Sequence, residues 1–374
     1  MDKKKYSDLK FFEFPNTLNA IREGKIIAPV HVRIKPTNVC NHDCWYCAYH
    51  VSGLQLGDKM KARDVMPFEK LNGIADDIIE MGVSAVTFSG GGEPLLYRRL
   101  PEIIKKLSIG GVKIAVLTNG SNLKGSMSET LSKYGTWVRV SLDGYDDESY
   151  SKARGVDYGD FTKLLDNLHN FTSLETDCIL GCSFIVGHDN YNQIYNVCAK
   201  LKETGVDHVK ISGAVVGNTP SENNLYHRKI KDSVSKQLQM LNDITDSDFT
   251  IINHYHDLEG RFEKEYTTCP YISYRPVIAA DCCVYTCQDK AYTDSGLLGS
   301  LDNSSFKEYW YSKENSLPDQ LMTISSVFKA SAVLSISPFI VCTVIPVIRG
   351  SGSGSLTVGF LEDPHEQIKL IRIR

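Results

Sequence analysis

The chain of 374 residues carries 41 lysines and arginines against 45 aspartates and glutamates, a formal charge of -4, with 42% apolar residues. That is enough chain for one large domain or two of ordinary size around a substantial core. So even a charge balance gives no reason to expect a nucleic-acid polymer or a membrane surface as partner, and no stretch approaches the ~18 uninterrupted apolar residues of a membrane helix. The opening "MDKKKYSDLKFFEF" has lysines but no apolar h-region, so it does not read as a signal peptide, and the expected location is the cytoplasm.

After an N-terminal extension (1–29), short β-rich runs alternate with amphipathic helical stretches from about residue 30 to 255. The strand candidates are "VHVRIK" (Val30–Lys35), "SAVTFS" (Ser84–Ser89), "VKIAVLT" (Val112–Thr118), "WVRVSLD" (Trp137–Asp143), "CILGCSFIV" (Cys178–Val186) and "DHVKIS" (Asp207–Ser212). Between the first two, "MPFEKLNGIADDIIEMG" places Leu71, Ile74, Ile78 and Met81 near helical spacing. "LPEIIKKL", "FTKLLDNLHNF" and "NQIYNVCAKLKETG" read the same way, the last stopped by Gly205. Six strands alternating with helices imply an α/β fold with a parallel sheet and right-handed crossovers, either curled toward a (β/α) barrel or left open. Parallel-strand enzymes place their chemistry at the C-terminal strand ends. The unusual residues fall there: Cys40 after the first strand, "GGGEP" after the second, "NGS" after the third, "SLDG" ending the fourth, Gly187-His188 closing the fifth.

Residues 256–316 change character, being rich in cysteine and tyrosine and without helical period until "SSFKEYWYS"; they read as a small cysteine-rich module stabilised by metal. The tail, 317–374, is heavy in Ser, Ile and Val and broken by Pro338 and Pro346 before the linker-like "GSGSGS". It fits neither period, and a non-native or disordered terminus stands beside a natural edge strand as its reading.

Eleven cysteines are many for a chain without an export signal: Cys40, Cys44, Cys47, Cys178, Cys182, Cys198, Cys269, Cys282, Cys283, Cys287 and Cys342. Clustered thiols in a reducing compartment more often bind metal or do chemistry than form disulfides. Cys178, Cys182 and Cys198 fall at core-like positions. The pair four apart on one strand would become a hydrogen-atom donor only if its side faced a barrel interior. Cys40-x3-Cys44-x2-Cys47 offers three thiolates from one loop. Structural zinc needs a fourth ligand, such as His42 or His50. A [4Fe–4S] cubane on three thiolates keeps one iron without a protein ligand.

That C-x3-C-x2-C spacing, with an aromatic before the last cysteine and following the first strand of a β/α repeat, resembles the radical S-adenosylmethionine (radical SAM) superfamily. The resemblance implies a partial (β/α)6 TIM-like barrel over 30–255, a [4Fe–4S] cluster and S-adenosyl-L-methionine. In that superfamily the open iron holds the methionine moiety, and one electron from a donor such as flavodoxin or ferredoxin gives a 5′-deoxyadenosyl radical. "FSGGGEP" lacks the spacing of a dinucleotide or phosphate loop and resembles the superfamily's "GGE" element, which implies cofactor contacts at Gly91, Gly92 and Glu93. "LTNGS" and "VSLDG" match in order, placing Asn119, Ser141 and Asp143 near the ribose and methionyl end. Arg154 stands where related enzymes keep an arginine for the methionyl carboxylate, and Tyr46 where the adenine packs, with Ile185 or Val186 as a second apolar face. His188, His254, Tyr255 and His256 are candidates for positioning a substrate.

"CPYISYRPVIAADCCVYTCQDKAYTDSGLLGSLDNSSFKEYW" is similar to the opening half of SPASM or twitch modules, with Cys269 and Cys287 as ligand candidates for an auxiliary [4Fe–4S] cluster. Cys282 and Cys283 occupy positions that often hold small residues, so each stands as a spare ligand, a hydrogen donor or a packed side chain. The closely spaced pair that would complete that cluster is missing, since only Cys342 follows. The resemblance implies an enzyme acting on a small-molecule, carbohydrate, nucleotide-like or peptide substrate. A non-catalytic iron–sulfur or zinc protein for electron transfer or scaffolding is the alternative, and it leaves "GGGEP", "SLDG" and Arg154 unexplained.

Overall fold

The computed structural model describes residues 12–51, 57–255, 269, 271–312 and 315, with the backbone of Thr357–Phe360 and Lys369–Arg372. His256, Cys342 and most of the expected tail fall outside the described residues. The described parts of Ala28–Phe262 and Arg275–Asn315 make one compact unit; those of Asp2–Ile27, Glu263–Tyr274 and Ser316–Arg374 make another. In chain order the elements begin with α1 (Pro15–Glu23), β1 (His31–Ile34), α2 (Phe68–Glu80), β2 (Ala85–Phe88), α3 (Leu100–Ile109) and β3 (Lys113–Thr118). Then come α4 (Gly125–Tyr134), β4 (Trp137–Ser141), α5 (Asp147–Arg154), α6 (Asp160–Thr172), β5 (Ile179–Val186), α7 (Ile194–Glu203) and β6 (His208–Gly213). Two helices, α8 (Pro220–Arg228) and α9 (Lys231–Met240), precede β7 (Thr250–His254). The cysteine-rich stretch holds α10 (Tyr271–Tyr274), β8 (Val277–Ile278), β9 (Cys283–Tyr285), β10 (Leu297–Ser300) and α11 (Phe306–Tyr311). Last are β11 (Thr357–Phe360) and β12 (Lys369–Arg372).

Strands β1 to β7 lie side by side in sequence order, all parallel. The six strands expected from sequence form within one or two residues of their expected ends, and β7 is a seventh. On the other flank of β1, β8 adds a parallel strand, and β9 and β10 continue the sheet antiparallel. The cysteine-rich residues 275–315 therefore extend the barrel sheet itself.

Register divides the parallel sheet into two unlike faces. One carries Val32 and Ile34, Val86 and Phe88, Ile114 and Val116, Val138 and Val140, and Leu180 and Cys182, all buried and apolar. It meets the helices: a Cβ added at Gly120 would strike both Val140 on β4 and Leu164 on α6. Each side chain fully buried in this layer contributes about 1.5–3 kcal/mol. The helices answer with stripes at their own period, such as Leu71, Ile74 and Ile78 on α2. Cys182 lies on this helix-facing side beside Cys198 of α7, so it does not look into the barrel. The opposite face is mixed, carrying Arg33, Thr87, Ser183, His208 and Lys210 beside Leu117, Trp137 and Ile185. This alternation positions the site, because the mixed face rises to the loops at the C-terminal strand ends.

The second unit is described by itself. There the Phe14 ring meets Tyr274 edge-on at 5.6 Å, and β11 pairs antiparallel with β12, Thr357 opposite Arg372.

Candidate radical-cofactor site

The loop after β1 is held from two sides. On one, the glycine run after β2 presses against it: Gly92 N donates to Thr37 O at 3.2 Å and Glu93 N to Val39 O at 2.9 Å. A Cβ at Gly92 would stand 2.2 Å from Val39 O, and one at Gly91 2.4 Å from Asn38 Oδ1. Only glycine allows that approach. On the other side, Asp43 N donates to Arg154 O at 2.8 Å, at the end of α5. Gly155 caps α5 at φ 61°, and a Cβ there would lie 2.6 Å from Asp43 O. Sequence reasoning passed over Gly155, whose signal is a helix ending in Arg-Gly.

Glu93 is buried, and both carboxylate oxygens are occupied. Oε1 accepts from Leu95 N at 2.9 Å and Thr118 Oγ1 at 2.6 Å, while Oε2 accepts from Asn119 N at 2.6 Å. Burial raises its pKa, and the Asn119 amide and Thr118 hydroxyl pull the other way. Glu93 thus ties the ends of β2 and β3 together. Asn119 Nδ2 in turn donates to Asn41 Oδ1 at 2.8 Å, reaching back to the cysteine loop.

A second buried network joins three residues that sequence reasoning named separately. Arg154 and Asp143, 4% and 3% exposed, form an ion pair of 2.8 Å. The Tyr46 hydroxyl bonds to both, donating to Asp143 Oδ2 and accepting from Arg154 Nη1. Asp143 sits at φ 68°, a left-handed conformation that aspartate tolerates better than most residues, and its Oδ1 accepts from Ile185 N at 2.7 Å. Burial pushes the Asp143 carboxyl up while Arg154 holds it down. The Arg154 guanidinium, with carboxylate and tyrosine oxygen around it, is raised despite its burial.

The three thiols Cys40, Cys44 and Cys47 are free and half-buried. Burial raises the pKa of Cys40 and pushes that of Cys44 up to about 12. Among the described residues no three His, Cys, Asp or Glu side chains form a ready-made ligand group. Three soft donors on one loop, thiolates only when a metal holds them so, suit an iron–sulfur cluster with an open iron. Three buried polar atoms in and around the thiol loop, His42 Nδ1, Ser89 Oγ and Arg154 Nε, have no hydrogen-bond partner. Leaving such atoms unmet costs about 1–3 kcal/mol each, which fits a place shaped for a polar ligand.

Other candidates scatter. Ser141 is on the mixed face at the end of β4, and Ile185 faces the same way; Val186 turns to the helices. His188 stacks on Tyr226 at 4.1 Å in the open, and Tyr255 bonds His227 in the core. His254 lies on the mixed face of β7. Cys287 follows β9 in the barrel unit and Cys269 belongs to the other. No helix among the described residues is long and apolar enough to cross a membrane.

These loops stand on the strand ends where a radical SAM core carries them, and residues 34–196 match the Radical SAM superfamily. Among curated relatives, a probable GTP 3′,8-cyclase of Sulfurisphaera tokodaii is 28% identical over 56% of this chain and 63% of its own length. The Fe-coproporphyrin III synthase of Methanosarcina barkeri is 28% identical over 46% of this chain and 41% of its own. An S-adenosylmethionine-dependent nucleotide dehydratase of Lacinutrix mariniflava is 28% identical over 35% and 29%. The chain therefore spans less than two thirds of the length of these relatives. Among solved structures, Streptococcus suis SuiB bound to S-adenosylmethionine superposes with TM-score 0.61 at 16% identity, covering 90% of this chain and 78% of SuiB. The enzyme anSMEcpe with bound AdoMet gives 0.54 at 20%, covering 77% and 82%. These likenesses establish the fold, a partial TIM-type barrel with helices on one face.

Proposed function

We propose that the chain is a radical SAM enzyme in which Cys40, Cys44 and Cys47 bind a [4Fe–4S] cluster and leave one iron for S-adenosyl-L-methionine. When bound, that pair supplies one-electron cleavage of the sulfonium and a primary carbon radical able to take hydrogen from an organic substrate. The observation that carries the reading is convergence: the thiol loop, the Glu93–Asn119 tie and the Tyr46–Asp143–Arg154 network all stand at the C-terminal ends of neighbouring parallel strands.

The protein's own part is to hold and orient. Gly91 and Gly92 bring backbone close, and Glu93 keeps spare lone pairs on Oε2 for an ammonium group. Arg154, with Nε still unmet, suits the methionyl carboxylate as a fork beside Asp143. Asn119 and Ser141 present amide and hydroxyl to ribose oxygens, and Tyr46 with Ile185 offers apolar surface to adenine. The core takes in 30–255, and 256–316 would carry an auxiliary cluster ligated by Cys269 and Cys287. A substrate of sugar, nucleotide or peptide type is consistent with relatives named for nucleotides and with SuiB solved with a precursor peptide. The chemistry is oxidation, epimerisation or bond formation, driven by an electron donor of flavodoxin or ferredoxin type.

The test is anaerobic reconstitution with iron and sulfide, then S-adenosylmethionine and dithionite, reading 5′-deoxyadenosine by chromatography. Its production supports the reading. An intact reduced cluster that yields none points to a non-catalytic iron–sulfur protein, and a single tetrahedral zinc at the first site overturns the proposal.

A further inference from the structure

Lys35, one residue beyond β1, is buried at 0% exposure. Its amine donates to Tyr49 Oη at 2.6 Å and to Gly90 O at 3.0 Å, and neither partner is a carboxylate. It also stands 4.3 Å from the centre of the Tyr49 ring and 5.8 Å from that of Tyr292. These contacts gather three segments around one nitrogen. Gly90 opens the glycine run after β2. Tyr49 lies in the turn that leaves the thiol loop, where His50 N and Val51 N both donate to Cys47 O at 2.9 Å. From the cysteine-rich stretch, Gln288 reaches the Tyr49 hydroxyl through Nε2, and the Tyr292 hydroxyl bonds Asn38 just before Cys40.

Taking an ammonium out of water is unfavourable unless an opposite charge meets it. Burial first, then Arg33, draws the Lys35 amine well below its ordinary value, while Asp289 and the Cys47 thiol oppose them. Asp289 is shared, since it acts on Arg33 of β1 as well. The sulfur loop is then the place where an anion would belong to Lys35. A cubane on three thiolates carries net negative charge, and one added electron increases it. The protein without its cluster therefore holds a cation whose counter-charge has its seat at Cys47.

We infer that Lys35 is the buried counter-cation of the cluster that Cys40, Cys44 and Cys47 hold, and that its charge raises the reduction potential of that cluster. The inference rests on the radical SAM reading for the cluster itself and goes beyond it by naming what makes the cluster reducible. A fixed ammonium stabilises whichever state carries more negative charge, which is the reduced one. Burial keeps solvent and salt from screening the pair. One electron from a donor of flavodoxin or ferredoxin type then enters more readily, with no proton required. Lys35 acts through the cluster, so it is a positioning residue. The rival account, a strut that only joins Gly90 to Tyr49, needs the hydrogen bonds but not the charge.

The test is a redox titration of the full chain with its cluster reconstituted anaerobically, following the paramagnetic signal of the reduced state. Lys35→Met and Lys35→Gln are expected to lower the ratio of reduced to oxidised cluster at a fixed poise at least tenfold, about 59 mV for one electron. Lys35→Arg keeps the charge and stays within threefold of wild type. So does Tyr49→Phe, which loosens the contact of the amine and leaves its charge in place. A Lys35→Gln ratio within threefold of wild type overturns the inference. So does a fall in Lys35→Arg or Tyr49→Phe as large as that in Lys35→Met. Should the Lys35 variants fail to fold, wild type isotope-labelled on its lysine nitrogens and observed by NMR replaces them. Its slowest-exchanging Nζ signal, expected from this wholly buried lysine, should show an ammonium shift beside the oxidised cluster and broaden on reduction. An amine shift, or a width indifferent to reduction, overturns the inference. Iron, sulfide and 5′-deoxyadenosine of the wild type are scored separately. Normal cluster content and cleavage with a potential indifferent to Lys35 remove this inference alone, whereas a lowered potential in Lys35→Met without any cleavage by wild type removes the radical reading alone.

Discussion

Two regions of this chain are dense in cysteine, and they use it differently. Between Cys40 and Cys47 the backbone is irregular, and Asp43 N and Trp45 N donate to Arg154 O and Ala153 O at the end of α5, at 2.8 and 3.4 Å. Between Cys282 and Cys287 the cysteines are woven into a hairpin. Cys282 occupies its turn at φ 61°, Cys283 opens β9 and packs beside a buried cluster of Val277, Ala279, Tyr285 and Tyr292, and only Cys287 follows the strand. Cysteine density is therefore a poor count of ligands; the backbone each thiol sits on decides what it is free to do.

The comparison breaks first on iron. Cys44→Ala is expected to abolish the first cluster and reduce 5′-deoxyadenosine to background, since two thiolates from one loop do not retain a cubane. Iron and sulfide analysis with the visible absorbance reads the loss. If Cys44→Ala keeps its iron while Cys287→Ala loses it, the roles of the two regions are reversed.

Next in size is the buried pair that holds the first region. Asp143→Asn leaves Arg154 charged and unpaired at 4% exposure. Breaking such a pair costs about 3–5 kcal/mol, read from denaturant unfolding. Adding Arg154→Met should recover much of this, and the double-mutant cycle measures the coupling. A loss under about 1 kcal/mol in Asp143→Asn would mean that solvent reaches the pair and the site is more open than the packing indicates.

How much of this was legible beforehand follows from the range of each interaction. Strands β1 to β6 could be read because alternation and flanking turns are local. The helix-facing layer could be read for the same reason. The strands β8 and β9, of two and three residues, are too short to show a period and exist because β1 offers an edge. Tyr46, Asp143 and Arg154 could each be named from the sequence as candidate contacts, yet their mutual bonding could not, since it depends on how α5 folds back over the end of β4. Glu93 could be named as a candidate cofactor contact but not as the tie between β2 and β3. Arg33 and Arg139 stood in "VHVRIK" and "WVRVS" as alternate residues, and the register across strands was needed to put them on one face.

A smaller effect is expected at Gly155, where the thiol loop touches α5. Gly155→Ala forces a side chain into a left-handed position with Cβ 2.6 Å from Asp43 O. The conformational cost alone is about 1–2 kcal/mol, and the close contact adds to it by moving the loop. Unfolding should show that loss, and iron per chain should fall with it. A variant that keeps full iron would show that the thiol loop does not depend on its anchor at α5.

The smallest effect tests the second region directly. Cys282 holds the turn between β8 and β9, its amide donating to Ala279 O at 2.9 Å and its carbonyl accepting from Leu301 N at 2.9 Å. A non-glycine residue at φ 61° carries about 1–2 kcal/mol of backbone strain that glycine does not. Against this, Cys282→Gly removes a side chain only 8% exposed and frees the unfolded chain. The two sides nearly cancel, so stability should change by less than about 1 kcal/mol and iron per chain should not change at all. The iron count makes the measurement decisive. A turn residue can lose its thiol without consequence for metal, whereas a ligand cannot, and loss of iron in Cys282→Gly would move Cys282 from the architecture of the hairpin to its chemistry.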